Sequence, residues 1–85
     1  MNTGQEQIAI AESRAQQRAR LLLALMAGPV STSYARDHLN IMSPAARVLE
    51  LREDGHMIDT ELIWQTDHRG RKHKAGVYHL QPRAR

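Results

Sequence analysis

The fold is decided by residues 43–58, which read Ser43-Pro-Ala-Ala-Arg-Val-Leu-Glu-Leu-Arg-Glu-Asp-Gly-His-Met-Ile. Ser43 is a favourable N-cap residue, and Pro44 suits the first helical position because no backbone N–H is needed there. Gly55 can take the left-handed conformation that ends a helix. This stretch therefore predicts a helix over 44–54 that leads directly into a strand.

The same stretch separates a packed side from a free side. Val48 and Leu51 lie three residues apart on the predicted helix, and Ile58 follows in the strand, so the three can share one core. Arg47 and Glu50 project elsewhere. We therefore expect one side of the helix to pack and another side to be available for recognition.

Length and charge limit the classes of function. Eighty-five residues form one domain with a small core, so a deep internal active site is not expected. The chain has 12 Lys plus Arg against 9 Asp plus Glu. Every charged residue after Asp67 is basic: Arg69, Arg71, Lys72, Lys74, Arg83 and Arg85. This end of the chain favours a polyanionic partner, with a merely solubilising surface as the alternative.

Several chemistries find no support in the sequence. The chain has no cysteine, which excludes disulfides and thiolate zinc sites and fits a cytoplasmic location. Its longest apolar run, over 21–27, is far shorter than the roughly 20 residues of a membrane span, so no membrane partner is expected. The five histidines have no ligand spacing, and no nucleophile is paired with a base. We expect no metal, no cofactor and no enzymatic activity.

Patterning along the chain predicts the order of the elements. Helices are expected over 5–26, 34–39 and 44–54, and strands over 57–64 and 76–80, with a turn over 67–71. Ser31 or Thr32 can cap the second helix. This order is typical of an α+β fold, the winged helix-turn-helix, in which three helices are followed by a two-stranded β-hairpin wing.

Several side chains are expected to serve the fold. Tyr34 should pack from the second helix, and Trp64 and Tyr78 should cover the core and not stack on bases. Arg52 should lie toward the wing, where its head can meet an acid such as Asp59.

The chain resembles a known family over residues 16–82. The segments that carry the resemblance are Arg18-Ala-Arg-Leu-Leu, Gly28-Pro-Val-Ser-Thr, Pro44-Ala-Ala-Arg-Val-Leu-Glu-Leu-Arg, Gly55-His-Met-Ile and Gly70-Arg-Lys-His-Lys. They are similar to those of small winged helix-turn-helix DNA-binding proteins that are common in bacterial and prophage genomes. The resemblance implies a domain over 16–82. Residues 1–15 are then a helical extension or flexible arm, and residues 83–85 a basic tail.

A winged helix-turn-helix of this kind would read DNA bases from the start of its third helix, which fits the major groove. The candidates are Ser43, Ala46, Arg47 and Glu50. The planar fork of Arg47 matches guanine O6 and N7, and Ala46 can contact a thymine methyl group. Ser43 can bind a base or a phosphate, and Glu50 can accept from cytosine or hold Arg47. Alternatively, Arg47 only pairs with Glu50 or Asp54 on the helix surface.

The predicted wing supplies the second set of candidate contacts. Its short basic segment suits backbone phosphates or a minor groove, and its members are Arg69, Arg71, Lys72, His73 and Lys74. Gly70 is expected to take a positive φ at the tip. Thr32 and Arg36 on the second helix can add phosphate contacts, although capping or solvation is the alternative for each.

Two functional classes follow. The first is a double-stranded DNA-binding protein, such as a small phage or prophage transcriptional regulator or an excision-type factor. The second is a winged helix used as a protein interaction module, such as a phage-encoded inhibitor that binds a host protein. Glu50, Glu53 and Asp54 keep the second class open, because acids near phosphates repel.

A homodimer is the expected assembly if one helix and one wing cover too short a site. A two-fold dimer reads half-sites about one helical turn apart. The candidate dimer surface is an N-terminal stripe of small and apolar residues, Ile8, Ala11, Ala15 and Ala19. The alternative is that this end of the chain is a frayed arm.

Overall fold

The computed structural model describes the backbone of residues 3–82 and the side chains of residues 14–82. Its elements are, in chain order, α1 Thr3–Ala27, β1 Val30–Ser31, α2 Thr32–His38, α3 Pro44–Glu53, β2 Ile58–Thr66 and β3 Lys72–Leu80. The predicted order of three helices and a hairpin is confirmed. Ile8, Ala11 and the tail residues 83–85 lie outside the described side chains.

The hairpin belongs to a three-stranded antiparallel sheet with the order β1-β3-β2. The predicted two-stranded wing, formed by β2 and β3, is confirmed, and the sheet has one strand more than the sequence predicted. The additional strand, β1, has only two residues, and Val30 pairs with Tyr78 while Ser31 pairs with Val77. A strand of two residues is too short to show an alternating pattern in the sequence. It forms only because it pairs with β3.

The wing is longer than the sequence suggested. β2 and β3 pair without interruption from Ile58 opposite Leu80 to Thr66 opposite Lys72. The second wing strand thus begins at Lys72 and not at Gly76, because the basic residues continue the ladder as an exposed outer part of the hairpin.

The ends of α2 and α3 follow the capping chemistry of their neighbours. The Ser31 hydroxyl accepts from the backbone N–H of Tyr34 at 3.0 Å, so Ser31 caps α2 as predicted. Ser43 occupies the N-cap position of α3 but makes no capping hydrogen bond with its side chain. At the other end Gly55 has a φ of +102°. The N–H groups of Gly55 and His56 donate to the carbonyls of Arg52 and Leu51, which is a Schellman closure.

One small core joins α1, α2, α3 and the sheet. Its buried members are Leu21, Leu25, Val30, Ala35, Ile41, Val48, Leu51, Ile58 and Tyr78. The predicted sharing of one core by Val48, Leu51 and Ile58 is confirmed. The three meet because the buried side of α3 faces the first residue of β2, directly after the Gly55 turn.

Two aromatic residues lie elsewhere than predicted. Trp64 was expected to cover the core, but it is 67% exposed, since the outer half of the hairpin runs past the helices. Tyr34 is 45% exposed. Its ring contacts that of His38 at a centroid distance of 4.8 Å instead of packing inward. Tyr78, at 5% exposure, is part of the core as predicted.

The described part of the chain contains no helix with the length and apolar character needed to cross a membrane.

Candidate nucleic-acid interface

The orientation of α3 is set by its buried residues. Pro44, Val48 and Leu51 face the core, so the helix presents three other sides. One flank faces α1, the opposite flank faces the wing, and the remaining side faces outward. The candidate base-reading residues are distributed over two of these sides.

Arg47 and Glu50 lie on the flank toward α1 and bind within the protein. Arg47 Nη2 donates to Glu50 Oε2 at 3.0 Å. Arg18 of α1 donates to Glu50 Oε1, also at 3.0 Å. Arg47 Nη1 reaches Gln17 Oε1 at 3.3 Å, and only 11% of the Arg47 side chain is exposed. The geometry thus matches the alternative interpretation, in which Arg47 pairs with Glu50.

The shortest distance between Arg47 and Glu50 involves Arg47 Nε, whose N–H does not point at the carboxylate. Arg47 Nε lies 2.8 Å from Glu50 Oε1. This Nε is buried and has no hydrogen-bond partner among the described residues. The two side chains are therefore held by charge and by the Nη2 bond, and Glu50 is shared between two guanidinium groups.

The hydrogen bond from Arg18 and the charge of Arg47 together lower the pKa of Glu50 below its ordinary value of 4.5, against an opposing contribution from burial. Because this pKa is lower in the folded chain, Glu50 stabilises the fold at pH values above its unfolded pKa. That stabilisation is lost as the pH falls through the folded-state pKa. Glu50 thus acts as a pH-dependent link between α1 and α3.

Replacing Glu50 with glutamine should lower the free energy of unfolding at pH 7 by about 1 kcal/mol, the size of a partly exposed charged contact. The difference from the unchanged chain should vanish in acid, where the carboxyl is protonated in both states. Urea unfolding at a series of pH values measures this. Glu53→Gln on the same helix is the matched control, since Glu53 is exposed. If Glu50→Gln still lowers the free energy of unfolding by the same amount at pH values below the folded-state pKa of Glu50, the charge of Glu50 does not link α1 to α3.

The outward side of α3 carries exposed apolar residues that are not among the candidates predicted from the sequence. Leu49 is 55% exposed, and Met42, just before the helix, is 78% exposed. Ser43 is exposed and Ala46 is half-buried on this same end of the helix. Helical spacing from Val48 and Leu51 would have indicated that Leu49 faces away from the core.

Arg52 fixes the flank of α3 that faces the wing. Its Nε donates to the carbonyl of Ile58 at 2.8 Å. Its Nη2 donates to Thr60 Oγ1 at 3.0 Å. The predicted position toward the wing is confirmed, but the predicted partner, Asp59, is wrong. Successive strand residues point to opposite sides of a sheet, so Asp59 points away from the side on which Thr60 meets Arg52.

The basic residues of the wing lie on its outer end, and all five are exposed: Arg69, Arg71, Lys72, His73 and Lys74. None of them takes part in an ion pair within the described part of the chain. The turn between them is built by Asp67, whose Oδ1 accepts from the backbone N–H groups of Arg69 and Arg71 at 2.9 Å. Gly70 has a φ of +80°, as predicted. The tip is therefore an ordered turn that leaves its cations available to a partner.

α2 lies beside the base of the wing. Its Thr32 is half-buried, with its methyl carbon 3.6 Å from the point where a Cβ at Gly76 would stand. Arg36 is exposed. At the end of α2, Arg20 of α1 donates through Nε to the carbonyl of Leu39 at 3.0 Å. Among the phosphate candidates of α2, Arg36 is thus open to solvent, whereas Thr32 is partly used in packing.

The described side chains include no group of three or more histidine, aspartate or glutamate residues that could hold a metal ion. The candidate interface consists of the outward side of α3, the basic end of the wing and the surface of α2.

Comparison with known proteins agrees with this architecture. No curated protein and no solved structure shows significant similarity to the chain. A family described as a winged helix-turn-helix domain matches it over residues 16–83. This match covers most of the chain, including α2, α3 and the wing, and it favours DNA binding. The chain belongs to the winged helix-turn-helix domain family.

Proposed function

We propose that this protein binds double-stranded DNA as a small transcriptional regulator or excision-type factor of the phage or prophage kind. The observation that carries the proposal is the outer end of the wing, where exposed cations that form no ion pair with the described residues stand on an ordered turn. Phosphates would replace solvent around these cations, and counterion release would supply affinity that does not depend on sequence. Arg36 adds a further exposed cation on α2.

Sequence reading is proposed for the start of α3. Ser43 and Ala46 are the members of the candidate set that form no hydrogen bond or ion pair with the described side chains of α1, and a serine hydroxyl and an alanine methyl group can both contact base edges. Arg47 and Glu50 can take part only if their mutual contact is exchanged for contacts with DNA. A guanine would then compete with Glu50 for the Arg47 guanidinium, so binding by Arg47 would be coupled to the link between α1 and α3.

A two-fold homodimer is proposed as the binding form, because one helix and one wing cover a short site. Ala15 and Ala19 are exposed on α1 and continue the N-terminal stripe along one side of the helix. Such a dimer would place two α3 helices in successive major grooves.

Recognition of a protein is the second candidate function. It is favoured by the outward side of α3, where Met42 and Leu49 are exposed and Glu53 supplies a negative charge. An apolar and acidic helix side suits a partner helix or groove better than phosphates. A phage-encoded inhibitor of a host protein is one form that this function would take.

Selection from a pool of random duplex DNA, followed by titration at two salt concentrations, tests the proposal. Enrichment of a short or palindromic motif, bound with a steep salt dependence, is the expected result. Absence of retention even at low salt would reject DNA binding and favour the protein partner.

Two single variants on the selected site then test base reading. Arg47→Ala should cost about 1 to 3 kcal/mol and relax one base position if Arg47 reads a base. Arg71→Ala in the wing should weaken binding to all DNA sequences by a similar factor. Equal losses on every sequence for both variants would remove Arg47 from the reading set. Urea unfolding of each variant separates lost contacts from lost stability.

A further inference from the structure

The two faces of the wing differ in charge. Residues that are paired across an antiparallel ladder point to the same side, so Trp64 shares a face with Lys74, and Thr66 with Lys72. Beyond its buried base, this basic face carries the side chains of Thr60, Leu62, Trp64, Thr66, Lys72 and Lys74. It contains no acid. The acidic face consists of Asp59, Glu61, Ile63, Gln65, His73, Ala75, Val77 and His79. Its Glu61 contacts His79 at 3.0 Å.

The basic face also carries the exposed apolar surface of the wing. Leu62 is 65% exposed and Trp64 is 67% exposed, and the two lie at successive positions of this face. The ammonium group of Lys74 stands 5.5 Å from the centre of the Trp64 ring. An open pocket of about 470 Å³ is lined by Trp64, Thr66 and Lys72. The large apolar side chain of Trp64 is exposed to solvent beside two lysines, which indicates a contact surface.

The basic face lies on the same side of the sheet as the helices. Ile58 and Tyr78 belong to it by register and are buried beneath the helical layer. Nearer the tip, Gly76 lies close to Thr32 at the start of α2. Leu62 stands opposite Gly76 in the ladder, and Trp64 follows on the same face two residues nearer the tip. A duplex that reached both α2 and the wing would therefore meet the basic face and not the acidic one.

From this arrangement we infer that Trp64 and Leu62 form an apolar wedge that enters a DNA minor groove, with Lys72 and Lys74 on the flanking phosphates. The inference rests on the proposed function, and duplex DNA is the occupant because the only charges on this face are positive. Apolar side chains inserted at a base step partly unstack it and kink the duplex. The wing would thereby bend DNA as well as hold it.

This wedge predicts a sequence preference at positions that α3 does not touch. Pyrimidine–purine steps such as TA unstack most readily, so they should be favoured beneath the wing. Because side chains alternate along β3, the basic residues of the wing also fall on two different faces. Lys72 and Lys74 lie on the DNA side, whereas His73 points to the acidic face.

Trp64 is the only tryptophan of the chain, so its emission reports on the wedge directly. Titration with duplexes taken from the random-pool selection should quench this emission, because a stacked indole loses fluorescence. The same titrations should bring the two ends of a doubly labelled duplex closer together. Trp64→Ala should weaken binding about tenfold, as loss of one stacking contact does, and should abolish the bend. Gln65→Ala, one residue along on the acidic face, is the matched control and should change neither.

The failures of the two proposals are distinguishable. If labelled duplex binds with the expected salt dependence while the Trp64 emission is unchanged and Trp64→Ala binds and bends it equally well, the wedge is rejected and DNA binding stands. If Trp64→Ala instead alters the sedimentation of the free protein, the apolar patch joins two copies of the chain and the wedge is again rejected. If no duplex binds at low salt, both DNA binding and the wedge are rejected.

Discussion

A chain in which Arg69, Arg71 and Lys72 are all replaced by glutamine is expected to lose about five-hundredfold in affinity for duplex DNA at about 0.1 M salt. The estimate assumes one phosphate contact for each residue, with log K falling by about 0.9 per contact for each tenfold rise in salt. The slope of log K against log salt should decrease by about 3, and fluorescence anisotropy at four or more salt concentrations measures both quantities. Folding should be unaffected, because all three side chains are exposed.

A matched pair of single variants shows whether the position of the charge matters. Arg71→Gln and Arg14→Gln change the net charge equally, and both residues are exposed, but Arg14 lies on α1 and not on the wing. Only Arg71→Gln should reduce the salt slope, by about 1. Equal effects of the two would mean that the protein attracts DNA through its overall charge, and the wing would then have no special role.

The order of elements was predictable because chemically distinctive residues mark the boundaries. Ser31 caps α2, Pro44 begins α3 and Gly55 ends it, and in each case the preference of the residue is local. β1 could not be predicted in this way. Its two residues form a strand only because Tyr78 and Val77 lie beside them, and that proximity is a property of the folded chain.

Trp64 illustrates a different limit of the sequence. Its apolar character predicted burial, and alternation along β2 does place it on the face that Ile58 shares with the core. Whether that face is covered depends on how far the helices extend over the sheet. At Ile58 they cover it, and at Trp64 they do not. The length of the hairpin relative to the helical layer decides this, and no local pattern encodes it.

The candidate site shows the same division between local and long-range information. The contact of Arg47 with Glu50 at i,i+3 was among the alternatives that helical spacing allowed. The contributions of Arg18 and Gln17 come from 30 or more residues away and needed the packing of α1 against α3. The exposed wing cations were predictable, because a basic turn between two strands of a small domain has no core to enter.

Replacing Ile41 with alanine should destabilise the whole domain. Ile41 is fully buried between α2 and α3, and its N–H donates to the Ala35 carbonyl at 3.0 Å. Truncation leaves a cavity that costs about 2 to 5 kcal/mol, which is a large part of the roughly 5 to 15 kcal/mol that stabilises a typical domain. Urea unfolding should show a lower midpoint with an unchanged slope, since the surface exposed on unfolding is nearly the same.

The adjacent residue provides the control for this prediction. Met42 is 78% exposed, so Met42→Ala should change the free energy of unfolding by less than about 0.5 kcal/mol. Comparable losses in the two variants would mean that the turn between α2 and α3 is not anchored by the core. The pair also bears on function, because Met42 belongs to the outward side of α3. If Met42→Ala keeps full stability but weakens binding to a DNA or protein partner, this turn both fixes α3 in the core through Ile41 and contacts the partner through Met42.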